Sequence, residues 1–146
     1  MEARKRFVVT EDPISVDEVS SMVASPEYGA ITIFQGVVRN RTGARKVDHL
    51  EYEAYTEMAE ESMAQIDQEV RERWPEIGRI AIVHRVGRLN VGETALVVAV
   101  AAPHREPTYE ALQFVVDKVK ESVPIWKKEV WEDGEAWVEG PEYRRS

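Results

Sequence analysis

The stretch KVKESVPIWKKEVW, residues 118–131, puts Lys120 in the last turn of a helical run, Pro124 four residues on, and Lys127 and Lys128 beside Trp126. Proline cannot continue a helix, because it lacks the N–H and clashes with the preceding turn. A chain reversal at Val123–Pro124 would therefore fold Lys127 back towards Lys120. Two ammonium groups meeting in a partly desolvated pocket make one of them a candidate general acid or base, or an amine able to hold a carboxylate or acyl group. A lysine at a helix C-terminus also simply complements the dipole, so the pair carries the argument and Lys120 alone does not. Lys128 alternates to the other face of the strand and reads as a solvated or charge-screening residue.

Three further basic residues stand where an anion could be held. His104 and Arg105 lie between an apolar strand and a helix opened by Pro107, where free N–H groups and the dipole favour phosphate. The alternative is a surface pairing of Arg105 with Glu106 or Glu110. Arg39, at the end of GAITIFQGVVR, offers the same choice between solvation and an anion contact. No phosphate-binding loop, dinucleotide fingerprint or serine nucleophile elbow occurs, and His49, His84 and His104 are not at metal-ligand spacing. Neither a metal nor a cofactor is expected. The absence of cysteine excludes disulfides, thiolate metal sites, thiol nucleophiles and persulfide carriers. Any sulfur handled here would have to arrive on another molecule.

The elements that must position these groups follow from pattern. At 146 residues and 43% hydrophobic content, the chain suits one domain, residues 1–146, with a real core. A net charge of -8 argues against nucleic acid, and no apolar run is long enough for a signal peptide or a membrane span, so a cytoplasmic protein is expected. Phe7–Thr10 predicts a strand, and Ser15 to Glu18 a capping box opening a helix to about Ala24. GAITIFQGVVR predicts a central strand with a bulge or close approach at Gly36, residues 40–46 a basic turn, and 47–55 a strand with one apolar face. Thr56 is placed to cap an amphipathic helix carrying Met58, Met63, Ile66 and Val70 as far as Trp74-Pro75. Strands over 79–87 and 93–102 flank a turn at RLNVG, and the second is apolar enough to be buried on both faces. After Pro107, the residues Tyr109, Leu112, Val115, Val116 and Val119 make one helix face. IWKKEVW and AWVEG predict a hairpin with Asp133-Gly134 in a primed turn and an apolar surface a partner chain would cover. The fold class is α+β: a mostly antiparallel sheet, about three helices and a C-terminal β-hairpin.

Several of these segments together resemble one family. FQGVVRN, LEYEAY followed by Met58-Ala59, IVHRVGRLNVGE, APHR at 102–105, and VPIWKKE with DGEAWVEG are similar to the large, catalytic subunit of molybdopterin synthase, over about residues 29–140. The resemblance implies a sulfurtransferase of molybdenum-cofactor biosynthesis. Its sulfur would arrive as a thiocarboxylate on the C-terminal Gly-Gly of a small ubiquitin-like subunit and pass to cyclic pyranopterin monophosphate (precursor Z). It also implies a central homodimer with one small subunit at each end, a heterotetramer, with site contributions across the dimer. By position, Lys120 and Lys127 correspond to the catalytic pair, and Arg39, His104 and Arg105 to pterin and phosphate contacts. Lys128 and Glu129 follow the motif into the same pocket, and Val37 and Val38 adjoin Arg39 as backbone contacts. Val37 departs from members that carry a lysine there.

From the residues alone, two other readings stand beside the enzyme: a noncatalytic module holding a phosphorylated metabolite or an acidic tail, and a structural dimerisation domain. The first is disfavoured by the presence of both lysines. The second explains the apolar hairpin but not the cations gathered around it.

Overall fold

The computed structural model describes residues 5–139, so residues 1–4 and 140–146, with Gly140 at the end of the predicted hairpin among them, lie outside the described residues. In chain order the elements are β1 (Phe7–Thr10), α1 (Val16–Val23), β2 (Ala30–Val37), β3 (Arg41–Thr42), β4 (Arg45–Ala54), α2 (Thr56–Arg73), β5 (Ile80–Arg85), β6 (Gly87–Asn90), β7 (Thr94–Ala102), α3 (Glu106–Ser122), β8 (Ile125–Trp131) and β9 (Gly134–Glu139).

The continuous apolar run ALVVAVAA makes β7 the axis of the fold, since a strand without polar alternation must be covered on both faces. Every residue from Ala95 to Ala102 is buried. Val97, Ala99 and Ala101 pack with Val19 and Val23 of α1 on one face. Leu96, Val98, Val100 and Ala102 pack on the other against Met63, Ile66 and Val70 of α2 and Val115 and Val119 of α3. Removing one such side chain, as in Met63→Ala, costs about 2–5 kcal/mol through lost transfer energy and the cavity left behind.

β7 pairs antiparallel with β5 and β2, and β1 joins β5 in parallel, giving the order β1-β5-β7-β2. β2 is thus an edge strand rather than the central strand its composition suggests. Gly36 does mark a bulge, between Gly36 and Val37. The other edge is blunted: Glu60 of α2 accepts the Val9 N–H at 2.8 Å. A second sheet runs β3-β4-β8-β9, with β6 on β4, and is joined to the first through a third cluster of Val38, Val47, Leu50, Leu89 and Ala95.

Several local expectations are met. Ser15 caps α1 by accepting the Glu18 N–H at 3.3 Å, and proline sits at the start of α3. Others are corrected by tertiary contacts. Thr56 is the first helical residue of α2, and Tyr55 is the N-cap without a side-chain bond. Met58 and Tyr109 are exposed at 57% and 54%, their places in the core taken by Ala59 and by Thr108 and Ala111. Residues 40–46 form a small hairpin, β3 with the start of β4, instead of a turn alone. RLNVG, expected as a turn, contains most of β6, which pairs with β4 from Tyr52↔Gly87 to His49↔Asn90 and buries Leu89. The β8–β9 hairpin turns at Glu132-Asp133, with Gly134 already paired to Trp131. No described residue other than glycine has positive φ, so the primed turn is not formed. Trp126, Trp131 and Trp137 are half-buried, Trp131 packing on the third cluster and Trp126 edge-on to Tyr55.

Candidate active site

α3 ends because Pro124 follows its last turn. Val123 adopts an extended conformation and still donates to the Val119 carbonyl at 3.3 Å, while the Pro124 carbonyl accepts from Tyr55 at 3.3 Å. The reversal at Val123–Pro124 is therefore pinned at both ends. It delivers β8 antiparallel to β4, with Tyr52 opposite Lys127 and Leu50 opposite Glu129. Period-two alternation then sends Ile125, Lys127 and Glu129 to one face and Trp126 and Lys128 to the other.

That first face closes a cavity of about 270 Å³ between the two sheets. Lys120 and Lys127 both line it, as do Arg39, Val37, Val38 and Glu129. Lys120 is exposed, and among the described residues its side chain has no ion-pair or hydrogen-bond partner. Arg39 is brought in by the bulged end of β2, where Val38 donates to the Glu93 carbonyl and accepts from Gly92, both at 2.9 Å. Glu129 is 4% exposed, with one oxygen accepting from the Thr42 hydroxyl and the other from the Trp131 indole, each at 2.9 Å. The cavity thus sets three cations against one carboxylate that is tied back into its own sheet. Such a place suits an anion or a developing negative charge. Among the described residues no group of three or more His, Asp or Glu side chains is placed to hold a metal.

Lys128 points away from the cavity. It lies 3.0 Å from Glu135 and 3.9 Å from Glu51, with its ammonium 5.4 Å from the centre of the Trp137 ring. The Glu135 hydrogen bond, against the opposing effect of burial and with the charges of Glu135, Glu51 and Glu53 behind it, holds Lys128 above its ordinary value.

His104 and Arg105 do not reach this cavity within one chain. They line an open depression at the other end of β2, beside Gly29, Ala30 and Glu76. Neither carboxylate expected to pair with Arg105 does so: Glu110 accepts from the Trp74 indole at 3.3 Å, and among the described residues Arg105 makes no ion pair. Two cavity residues lie inside the quoted motifs without having been assigned a role, Tyr52 and His84, whose rings meet edge-on with centroids 4.9 Å apart. The available signal was a polar residue inside the otherwise apolar strand IAIVHR.

The whole pattern has known counterparts. The family model described as MoaE protein matches residues 9–122. The molybdopterin synthase catalytic subunit of Halalkalibacterium halodurans is 52% identical over 134 residues, covering 92% of this chain and 85% of that protein. The crystal structure of molybdopterin synthase from Staphylococcus aureus superposes with a TM-score of 0.88 at 42% identity, covering 92% of this chain and 97% of that one. A complex of subunits 1 and 2 of molybdopterin-converting factor from Helicobacter pylori, 14% identical over 89% of this chain and 88% of that one, shares the fold with a TM-score of 0.73. With that family match over most of its length and more than half of the aligned residues shared with a named catalytic subunit, the chain belongs to the MoaE protein family, that of molybdopterin synthase catalytic subunits.

Proposed function

We propose that this chain, working as one domain in the cytoplasm, transfers sulfur from the C-terminal thiocarboxylate of a small ubiquitin-like carrier subunit to cyclic pyranopterin monophosphate, building the dithiolene of molybdopterin. The observation that carries this reading is the convergence of Lys120 and Lys127 on one cavity, in a chain that has no cysteine of its own to carry sulfur. A thiocarboxylate is an anion at neutral pH, and two ammonium groups orient it and stabilise the charge that shifts as sulfur attacks the pterin. Arg39 at the cavity wall serves the phosphate or the pterin ring, with Val37 and Val38 lining the wall beside it. Glu129 shapes the wall. Lys128, on the opposite face, is left with a supporting part in the sheet.

His104 and Arg105 enter this scheme through a second copy. β2 starts at their depression and ends at the lysine cavity, about 25 Å apart for eight residues at strand rise, and its outer edge is unpaired among the described residues. Two copies laid antiparallel along β2 about a two-fold axis bring Ala30 of each beside Val37 of the other, and with it His104 and Arg105 to the opposite cavity. This is the expected central homodimer, with a carrier subunit at each end.

The test is incubation with a thiocarboxylated carrier and precursor Z. A dithiolene product supports the reading, and a folded, dimeric protein that binds the carrier but yields none sinks it.

A further inference from the structure

The segment RNRTGARK, residues 39–46, carries Arg39, Arg41, Arg45 and Lys46 and no acid, in a chain whose net charge is -8. All of these residues are exposed. Thr42 pairs with Arg45 across Gly43-Ala44, and Gly43 takes φ 60°, as the first position of a two-residue hairpin loop requires. One step back from the turn, Arg41 stands directly opposite Lys46. Like charges so placed destabilise a strand pair, and among the described residues none of the four cations has an ion pair to relieve it. Asp48, the next acid along the chain, is engaged by the His49 ring at 2.7 Å and by Arg88 at 3.8 Å. The hairpin is nonetheless held in place. Val47 donates to the Asn40 carbonyl at 2.9 Å, the Thr42 hydroxyl donates to Glu129 at 2.9 Å, and the Arg45 guanidinium lies 3.9 Å from the centre of the Trp131 ring. The donors that reach Glu129, a hydroxyl and an indole, are neutral, so the hairpin is fastened without an ion pair. Arg39 and Thr42 line the lysine cavity, which sets the hairpin at its rim.

We propose that Arg41, Arg45 and Lys46 form an electrostatic entrance that draws the phosphorylated pterin to the cavity. The inference rests on the sulfur-transfer reading, which supplies an anionic substrate. The run starts at Arg39, given by that reading to the phosphate or the pterin ring, so the occupant it matches is the substrate and not the carrier. The rest of the chain has a still larger excess of acid, and its field repels a phosphate. A local positive patch reverses that sign over about one Debye length, roughly 8–10 Å at physiological salt, and raises the substrate concentration at the rim. Such a field acts on capture and leaves the chemical step to the groups inside, so its effect belongs in KM and not in kcat. β3 is also a sheet edge, and cations on an edge hinder pairing with another chain. That role alone leaves substrate capture unchanged.

The double variant Arg41→Gln, Lys46→Gln tests this and leaves Arg45 on its tryptophan. With thiocarboxylated carrier and precursor Z at about 0.01 M salt, where charges act over about 30 Å, KM for precursor Z should rise about fivefold while kcat and KM for the carrier stay at wild-type values. At about 1 M salt, where that range falls to about 3 Å, the two proteins should converge. The exchange Arg41→Lys, Lys46→Arg keeps both charges and should keep the wild-type KM. Equal KM values for precursor Z at low salt overturn the proposal, as does a rise that persists undiminished at high salt. A rise confined to the carrier's KM overturns it too, because the hairpin then serves the carrier. So does a charge-keeping exchange as defective as the neutral pair, since specific contacts and not charge would be at work. Should the neutral pair lack a cooperative melt, Arg41→Gln alone carries the same readouts. A wild-type protein that makes no dithiolene overturns the sulfur-transfer reading itself, whereas the other failures leave that reading standing.

Discussion

Trp131 donates its indole N–H to one oxygen of Glu129 at 2.9 Å, while the hydroxyl of Thr42 takes the other at 2.9 Å. The guanidinium of Arg45 lies 3.9 Å from the centre of the Trp131 ring, which covers the outer side of the same cluster. Glu129 therefore joins the small basic hairpin at 41–46 to the wall of the cavity. Glu129→Ala removes the acceptor of the half-buried Trp131 indole and of the exposed Thr42 hydroxyl, and should lower unfolding free energy by about 1 kcal/mol. Glu129→Gln keeps one acceptor and should cost less. Urea melts of the two variants check this, and equal midpoints for wild type and alanine would remove the clasp.

Lys120 and Lys127 should differ from Lys128 in what they change. Lys120 is exposed and carries no ion pair among the described residues, so Lys120→Ala should alter stability by less than about 0.5 kcal/mol. Turnover of precursor Z should nonetheless fall about 10²-fold or more, the loss expected if the proposed contact is made in the transition state. Lys127→Ala should lower turnover to a similar extent. Lys128→Ala, on the far face with Glu51 and Glu135, should keep turnover within about threefold of wild type. Steady-state rates on the three variants decide the matter, and a Lys128 effect as large as that of Lys120 would reverse the assignment of faces.

The convergence of these lysines was legible because it depends on local chemistry: proline must end a helix, and alternation then fixes which residue of IWKKEVW faces back. The double burial of β7 was legible for a similar reason, an apolar run of strand length. β6 was not. Arg88, Leu89 and Asn90 lie between Gly87 and Gly92, both at φ 90°, and on their own look like a turn. Only β4 beside them, and the pocket that buries Leu89, make them a strand. The edge position of β2 was hidden too, since its composition is that of an interior strand and only the pairing order places it outside. The place of His84 was hidden because only the fold sets its ring against Tyr52 in the cavity wall. The separation of His104 and Arg105 from the lysines is likewise a distance that no spacing of residues encodes.

Acid should weaken the fold partly through Asp48. Its carboxylate accepts a hydrogen bond from the His49 ring at 2.7 Å, and this bond, against the opposing effect of burial and with the charges of His49, Arg88 and Lys46 added, holds the group below its ordinary value of 3.8. The unfolded chain therefore takes up this proton more readily than the native one. The stabilisation is complete above the ordinary value and is lost as pH falls from there through the lower native value. Melting temperatures of wild type and Asp48→Asn should differ most above about pH 5 and draw together towards about pH 2. A gap that stays constant across that range would show that the ionisation contributes nothing.

Mixing two inactive variants tests whether each cavity borrows from a second copy. In a Lys120→Ala copy the cavity is dead but His104 and Arg105 are intact; in an Arg105→Ala copy the reverse holds. A dimer formed from one of each has a site with both defects and a site with neither. Random exchange makes half of the dimers mixed, so a co-refolded equimolar mixture should regain about a quarter of wild-type activity while each variant alone stays low. The same mixture at a concentration where sedimentation shows only monomer should recover nothing. Were activity to stay at the level of the separate variants although mixed dimers are demonstrably present, the cavity would be complete within one chain, and the depression at His104 and Arg105 would have to serve some other anion.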